Sequence, residues 1–380
     1  MRKWRRSRAG GRCGDCIDGF RTGLGRGPEG ATVTRVRRTY VFYAGRFGLW
    51  AGTLLLLLSL AGAAEIPRAL ESPIKIEVLA KPIASFDMRD ASQRKFGELM
   101  FRGGLQLSSP YREFGGVSAL RVAANGANFI ATTDKGRWLR GRILYENGRP
   151  AGIADAEMAP ILGPDGRTLA ARGWYDTESI AEDGGTLYLG VERVHQIVRF
   201  NYGKDGLLAR GQPIAVPPAL KRLPANKSLE ALVFVPKPLP LAGTLIAISE
   251  QSLDAAGNIR GFLIGGPSPG EFTIQRFDEF DISDAAITPR GDLLVLDRRL
   301  SWTRGLAIRI RRIALAGVRP GALLDGPVLL EADMGYQLDN MEGLSVHRDR
   351  DGEIVLTLIS DDNFFPLQRP LLLQFTLIDE

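Results

Sequence analysis

Cysteine is nearly absent from this chain of 380 residues, which contains only Cys13 and Cys16. No strand–helix–strand pattern surrounds this pair, and no second pair is present to complete a zinc site. Everything after residue 64 therefore lacks disulfides, thiol nucleophiles and thiolate metal sites. That part of the chain must be stabilised by its hydrophobic core or by a bound metal ion.

Histidine is equally scarce, with only His195 and His347 present. The sequence has no Gly-x-Ser-x-Gly elbow, no phosphate loop and no dinucleotide fingerprint. Ser118 follows two glycines, but a serine nucleophile needs a base, and histidines are few. We therefore do not expect Ser118 to be a nucleophile. His195 follows a strand end closely enough to face a site, although a lone histidine is more often structural.

A basic stripe is also missing from most of the chain. Residues 1–64 contain 12 Lys and Arg against three acidic residues, whereas residues 65–380 contain 37 basic and 40 acidic groups. A nucleic-acid-binding domain usually concentrates positive charge on one face. We therefore expect no nucleic-acid partner.

One long apolar run is present, at residues 47–64, and it has no charged residue. Arg37, Arg38 and Arg46 precede it, and small residues occupy positions 61–64, as in a secretory signal peptide. We expect residues 1–64 to be a leader and residues 65–380 to be an exported domain, periplasmic or secreted. The alternative is an uncleaved inner-membrane anchor, because 18 apolar residues can just span a bilayer. The Gly- and Arg-rich stretch ahead of the run also suggests a true start near Val33, Val36 or Val41.

The rest of the chain has no long helical period and repeats a strand pattern instead. Five short segments that run into small and apolar residues recur at intervals of 52–62 residues, at 116–120, 178–181, 230–233, 284–287 and 342–345. A second strand ending in Asp or Glu follows each of them, at 129–134, 187–192, 245–250, 293–297 and 354–361. Further strands complete several units.

Short strands grouped about four to a unit predict an all-β fold, a single β-propeller. A β-sandwich is the structural alternative, but it does not explain the regular spacing. The repeat count gives five blades, and residues 98–107 are expected to supply the missing last strand of the final unit. That pairing of N- and C-terminal strands closes the ring and removes two exposed sheet edges. Residues 76–86 leave a degenerate sixth blade as an alternative.

Acidic residues recur where the first two strands of each unit meet one face of the ring. The expected pairs are Glu178 with Glu192, Glu230 with Glu250, Asp284 with Asp297, and Glu342 with Asp361, while Asp134 stands alone and Asp362 and Asn363 add oxygen atoms. Clustered carboxylates repel one another, and a hard cation such as Ca²⁺ relieves this with six to eight oxygen ligands.

These positions give a candidate site at an acid-lined channel mouth. The expected metal ligands are Glu178, Glu192, Glu230, Asp297, Glu342, Asp361 and Asp362. The expected catalytic carboxylates are Glu178, Glu230, Glu342 and Asp361. Basic residues at the same strand ends, namely Lys135, Arg137, Arg193 and Arg298, are expected to hold a small anionic ester.

Several short segments of the sequence resemble the phytase-like family, also called the "esterase-like activity of phytase" family. They are the segments at 114–120, 176–181, 226–232, 339–345 and 359–364, together with Arg369-Pro-Leu-Leu-Leu-Gln-Phe. The resemblance implies a β-propeller and, through looser kinship with alkaline β-propeller phytases, calcium and phosphate-ester chemistry. Where the family has the dipeptide Glu-Gly, this chain has Glu178-Ser, Glu230-Ala and Asp284-Ala.

These observations favour a Ca²⁺-dependent hydrolase of phosphate or carboxylate esters. The alternatives are a non-catalytic propeller that binds a ligand or partner, and a lactonase-like metal hydrolase. The membrane is a partner only if the leader is not cleaved.

Overall fold

The computed structural model describes residues 72–225 and 227–378, so the expected leader lies outside the described residues. Among those described, no helix is both long enough and apolar enough to cross a bilayer. Four strands come first: β1 (Ile74–Lys75), β2 (Leu79–Ile83), β3 (Lys95–Phe96) and β4 (Leu99–Ser108).

The strands form five sheets, antiparallel except for one short parallel pairing at the edge of blade 3. In the description that follows, the strand named first in each blade is the innermost. Blade 1 contains β5 (Val117–Val122), β6 (Asn128–Thr133), β7 (Arg137–Glu146) and β8 (Arg149–Pro160), with β1 added outside β8. Blade 2 contains β9 (Thr177–Asp183), β10 (Thr186–Val191), β11 (Gln196–Phe200) and β12 (Gln212–Pro213). A single-turn helix, α1 (Tyr202–Asp205), lies between the last two of these strands.

Blade 3 contains β13 (Leu229–Phe234), β14 (Thr244–Leu253), β15 (Ile259–Gly265) and β16 (Gly270–Ile274). Blade 4 contains β17 (Asp281–Ile287), β18 (Asp292–Ser301) and β19 (Gly305–Ala314). The short β20 (Leu323–Leu324) then joins the edge of blade 3, and β21 (Val328–Asp333) completes blade 4. Blade 5 begins with β22 (Met341–Arg348), β23 (Ile354–Ser360) and β24 (Leu371–Leu377).

The ring closes as the sequence predicted, because β24 pairs antiparallel with β4, with Leu372 opposite Leu105. The alternative of a sixth blade is wrong, since β2 pairs with β4 and becomes the outer strand of blade 5. Pro82 lies on this outermost strand, the usual place for a proline within a sheet. The described chain is therefore a five-bladed β-propeller.

The core consists of five apolar clusters, one at each seam between neighbouring blades. Because strand side chains alternate between faces, a strand buried on both sides must be apolar at successive positions. In β18, Leu294 and Leu296 pack toward blade 5, whereas Leu293 and Val295 pack toward blade 3. This explains why the second strands read as unbroken hydrophobic runs.

One ion pair lies at the centre of the ring. The Arg121 guanidinium donates to both oxygens of Asp284, at 2.9 and 3.1 Å. It also donates to the backbone carbonyls of Leu120, Leu232, Ala285 and Leu344, which belong to four different inner strands. Asp284 is fully buried and also accepts from the Leu344 N–H at 2.8 Å. A single side chain therefore bridges blades 1, 3, 4 and 5.

Replacing Arg121 with Met should destabilise the protein by about 3–5 kcal/mol, because it leaves the Asp284 carboxylate buried without its partner. The control is Arg142→Met, which breaks an exposed pair with Asp155 and should cost less than about 1 kcal/mol. Denaturant unfolding followed by circular dichroism measures both changes. Equal midpoints for the two variants would contradict this role of the central pair.

Candidate functional site

All five inner strands carry a β-bulge at the same height. In each one, a single residue is skipped in the pairing between the first and second strands. The five skipped residues are Ser118, Glu178, Glu230, Ser283 and Glu342. A bulge re-aims a side chain out of the ladder, and in three blades that side chain is a glutamate.

A second ring of side chains comes from the second strand of each blade. Each member comes directly after the two residues of that strand whose partners flank the bulge. Its members are Asp134, Glu192, Glu250, Arg298 and Asp361. We call the acidic members of both rings, together with Asp176, the acid mouth. Arg298 occupies in blade 4 the position that an acid fills in the other four blades.

The residues predicted for the acid pair of blade 4 were wrong by one position. Ser283 and Arg298, rather than Asp284 and Asp297, occupy the two repeated positions. Because neighbouring side chains point to opposite faces of a strand, a one-residue slip removes both aspartates from the mouth. Asp284 pairs with Arg121, and both Asp297 oxygens accept from Arg311 at 2.7 Å. Asp297 is therefore not placed as a metal ligand.

Backbone hydrogen bonds connect the mouth from blade to blade. The Asp134 N–H donates to the Gly116 carbonyl, the Asp176 N–H to that of Asp134, and the Glu192 N–H to that of Asp176, each at 2.9 Å. Asp176 was not predicted from the sequence as a site residue, although it lies two positions before Glu178 in the family-like segment 176–181. Its backbone has a positive φ of 62°, which non-glycine residues rarely adopt.

Arg298 provides a cation inside the mouth. Its guanidinium donates to Glu342 Oε1, to Asn340 Oδ1 at 2.5 Å and to Glu250 Oε1 at 3.3 Å. Burial lowers the pKa of Arg298, but Glu342, Glu230 and Glu250 together raise it above the ordinary value. The structure thus places Arg298 among carboxylates, where it acts first as their counter-charge.

The remaining carboxylates are short of positive charge. Burial first, and then Glu342, Glu192, Asp176 and Asp361, raise the pKa of Glu178 well above its usual value. Glu230 is 8% exposed, and burial followed by Glu178 and Glu250 has the same effect on its pKa.

Four further acids of the mouth have raised pKa values, and one of them is Glu250, where burial is the largest cause. Burial, reinforced by Glu342, raises the pKa of Asp361 to about 9. Burial also raises the pKa of Glu192 to about 7 and that of Asp134 to about 6. At neutral pH the mouth therefore holds protons as well as charge.

A strained loop borders the mouth in blade 5. Asn363 and Phe364 have positive φ angles of 47° and 51° in succession, a conformation that needs support from its surroundings. The Asp361 carboxylate accepts from the Asn363 N–H at 2.6 Å, and that of Asp362 accepts from the Gly116 N–H at 2.8 Å. Asp362 was expected to bind metal, and the structure uses one of its oxygens to fix this loop. Gly116 leaves room here, since a Cβ would lie 2.5 Å from the Phe364 ring.

The predicted rim cations are placed near aromatic rings or acids. Lys135 Nζ lies 2.9 Å from the centre of the Phe364 ring. The Arg193 guanidinium lies over Tyr175 at 4.3 Å, and its Nε donates to Asp176 at 3.4 Å. Arg137 pairs with Glu113 at 3.1 Å.

Among the described residues, neither histidine forms a hydrogen bond with Ser118. His195 Nδ1 lies 3.0 Å from Ser228 Oγ, and His347 lines a cavity on the opposite face. Ser118 is buried, and its hydroxyl donates to the Gly116 carbonyl at 3.3 Å. These placements agree with the expectation that Ser118 is not a nucleophile.

The carboxylate oxygens of the mouth are the kind of ligand that a hard cation prefers. Among the described residues, however, no group of three His, Cys, Asp or Glu side chains is arranged closely enough to hold a metal ion as it stands. One carboxylate oxygen of Asp134 is buried without a hydrogen-bond partner. Glu178 and Glu230 are affected mainly by burial and by other carboxylates. Oxygen ligands of this kind fit Ca²⁺.

The raised carboxyl pKa values predict that stability in a chelating buffer falls as pH rises. Below about pH 4 the carboxyls are protonated in both the folded and the unfolded state, so the raised pKa values cost no stability. Above that pH the unfolded chain loses these protons, whereas the folded state keeps them until the pH approaches the raised pKa values, about 7 for Glu192 and about 9 for Asp361. The free energy of unfolding therefore falls across this range. The thermal midpoint should therefore decrease between about pH 5 and about pH 9. Glu230→Gln should flatten this slope.

The matched control for this experiment is Glu271→Gln, at an exposed ion pair with Arg260 on the outer part of blade 3. It should keep the wild-type slope. Parallel slopes for wild type and Glu230→Gln would show that the mouth is not the source of the pH dependence.

Comparisons with known proteins give one family and several distant structures. No curated protein matches the sequence. The glutaminyl cyclase of Myxococcus xanthus is 12% identical over 70% of this chain and 92% of that chain, with a TM-score of 0.37. The endo-arabinase of Bacteroides thetaiotaomicron is 12% identical over 70% and 95%, with a TM-score of 0.41. The PQQ-bound aldose sugar dehydrogenase of Streptomyces coelicolor is 12% identical over 80% and 99%, with a TM-score of 0.36.

The family model for phytase-like proteins, described as "Esterase-like activity of phytase", matches residues 112–364. This range is more than half of the chain and contains both rings of mouth residues. The structure has the propeller fold that the sequence resemblance implied. The chain is therefore a member of the phytase-like family.

Proposed function

We propose that this chain is an exported, Ca²⁺-dependent hydrolase that cleaves phosphate or carboxylate esters of small anionic substrates at the acid mouth. The observation that carries the proposal is the pair Glu178 and Glu230. Both carboxyls lie among other carboxyls, and Arg298 donates its hydrogen bonds to Glu342 and Glu250, although it is close enough to Glu230 for that carboxylate to raise its pKa. Membership of the phytase-like family supports ester hydrolysis.

Glu178 and Glu230 would hold the calcium ion, with Glu342 and the unpartnered oxygen of Asp134 nearby, which leaves Asp361 and Glu192 for proton transfer. A bound Ca²⁺ supplies charge neutralisation and polarises an ester oxygen. Lys135 and Arg193, at the rim, would hold the anionic oxygens of the substrate.

Two carboxyls of the mouth have pKa values suited to opposite proton transfers. Asp361, whose pKa is about 9 without a bound cation, would give its proton to the leaving oxygen. Glu192, with a pKa of about 7, is suited to accept the proton of the attacking water. Both lie close enough to Glu178 to raise its pKa. Environments that separate two carboxyl pKa values are typical of an acid–base pair.

A non-catalytic binding propeller is the second candidate, and the position of Arg298 favours it. A guanidinium that already pairs with Glu250 and Glu342 stabilises the mouth without substrate. In that case the mouth would bind a cation or a cationic ligand and turn over no ester. Activity assays separate the two functions.

Calcium should raise the thermal midpoint of the wild-type protein, because a ligand that binds only the folded state stabilises it by about 2.7 kcal/mol at 100-fold excess over Kd. Differential scanning fluorimetry in millimolar Ca²⁺ and in chelator measures the shift. Glu230→Gln should reduce the shift, whereas the surface control Glu271→Gln should retain it. Identical midpoints with and without Ca²⁺ in wild type would remove the metal from the proposal.

Ester hydrolysis should fall on the order of 100-fold in Glu178→Gln and in Asp361→Asn, as when other electrostatic stabilisers are removed. The assay uses a chromogenic phosphomonoester and a chromogenic carboxyl ester, each with Ca²⁺ and with chelator. Ser118→Ala is the control and should retain turnover. Loss of activity in Ser118→Ala with full activity in Glu178→Gln would reverse the assignment, and no turnover of any substrate by wild type would favour the binding propeller.

A further inference from the structure

A cavity lies on the face of the ring opposite the acid mouth, at the seam between blades 5 and 1. Its volume is about 630 Å³. The turn between β5 and β6 and the turn between β22 and β23 line it, at the far ends of the inner strands from the bulges. A cavity of this size is in the range that holds a small-molecule ligand.

The floor of this cavity is polar and incompletely hydrogen-bonded. The Gln374 amide nitrogen donates to the Tyr145 hydroxyl at 2.8 Å and to Thr357 Oγ1 at 3.0 Å, and the Tyr145 hydroxyl donates to the Gly126 carbonyl at 2.6 Å. Gln374 Oε1 is nevertheless buried without a partner among the described residues, as is Nδ1 of His347, a residue only 5% exposed. Buried polar atoms are normally paired, so each of these needs an explanation.

The groups on the floor require a ligand that both donates and accepts hydrogen bonds. Burial first, and Arg102 second, lower the pKa of His347 to about 4, so its neutral ring offers one donor and one acceptor. Gln374 Oε1 offers an acceptor only. A hydroxyl group satisfies both requirements, because it donates one hydrogen bond and accepts others, whereas a metal ion has no hydrogen bond to donate.

The charges around the cavity balance. Three basic and three acidic side chains line it, namely Arg102, Arg142 and Arg350 with Glu146, Asp349 and Asp351. Arg102 donates to Asp349 at 2.7 Å. This differs from the acid mouth, where carboxylates outnumber cations. The balance favours a neutral ligand over an ion.

Apolar side chains complete one wall, where Ile143, Leu144 and Val355 line the same space. Sugars present both hydroxyl groups and an apolar C–H face, which matches this combination of floor and wall. We propose that this cavity binds a neutral saccharide, whose hydroxyls bond Gln374 Oε1 and the His347 ring. This site is separate from the acid mouth and does not depend on its chemistry.

The test is a titration of the full chain with D-glucose, maltose and inorganic phosphate, followed by saturation-transfer NMR and calorimetry. Saturable sugar binding at millimolar concentration is expected, without phosphate binding at the same site. Gln374→Leu should weaken sugar binding about tenfold by removing the amide. Circular dichroism and the thermal midpoint check that this buried variant folds.

A second variant avoids the core. Leu144→Trp enlarges a side chain that is 38% exposed at the cavity wall and should abolish sugar binding by filling the space. Its matched control is Leu253→Trp, at a side chain that is 40% exposed on blade 3 and should bind sugar as wild type does. Absence of saturable sugar binding, wild-type binding in Leu144→Trp, or binding of phosphate in place of sugar would each overturn the proposal.

Discussion

The ion pair between Arg121 and Asp284 is the constraint on which the ring depends. Five blades leave only a narrow central channel, and the inner strands bring backbone carbonyls to its wall. Those carbonyls need donors, and one guanidinium with several N–H groups serves four strands at once. The Asp284 carboxylate is the charge that makes a buried guanidinium tolerable there.

This central pair also separates two different openings. The bulged ends of the inner strands form an acid mouth with excess negative charge, whereas the opposite ends of two of them lie beside the charge-balanced cavity next to His347. The bulge is the device that produces this difference, because it turns Glu178, Glu230 and Glu342 out of the ladder at one height only. Positive φ angles at Asp176, His195, Asn363 and Phe364 concentrate strain on the same side. Strain of this kind is stored where a site must be held in one shape.

The sequence was sufficient to predict the propeller and its closure, because strand runs recur at a steady interval and a final strand was missing where β4 could supply it. It was also sufficient to predict that five acidic residues lie at the same mouth of the ring, namely Glu178, Glu192, Glu230, Glu342 and Asp361. Blade 4 was mispredicted because a bulge leaves no mark in the residue pattern. Asp284 and Asp297 imitate the repeated acids, yet the register places Ser283 and Arg298 there. The polar cavity beside His347 was equally hidden, since it joins residues that are far apart in the chain.

Ring closure through β4 and β24 also determines when the fold can be completed. Leu105 and Leu372 pair across almost the whole length of the described chain, so blade 5 cannot form until nearly all of the polypeptide is available. Pairings between such distant residues are slow, because loop-closure entropy must be overcome before the contact stabilises anything. Until that moment the inner faces of blades 1 and 4 lack their blade 5 neighbour, and the hydrophobic seams on either side of it stay exposed to aggregation.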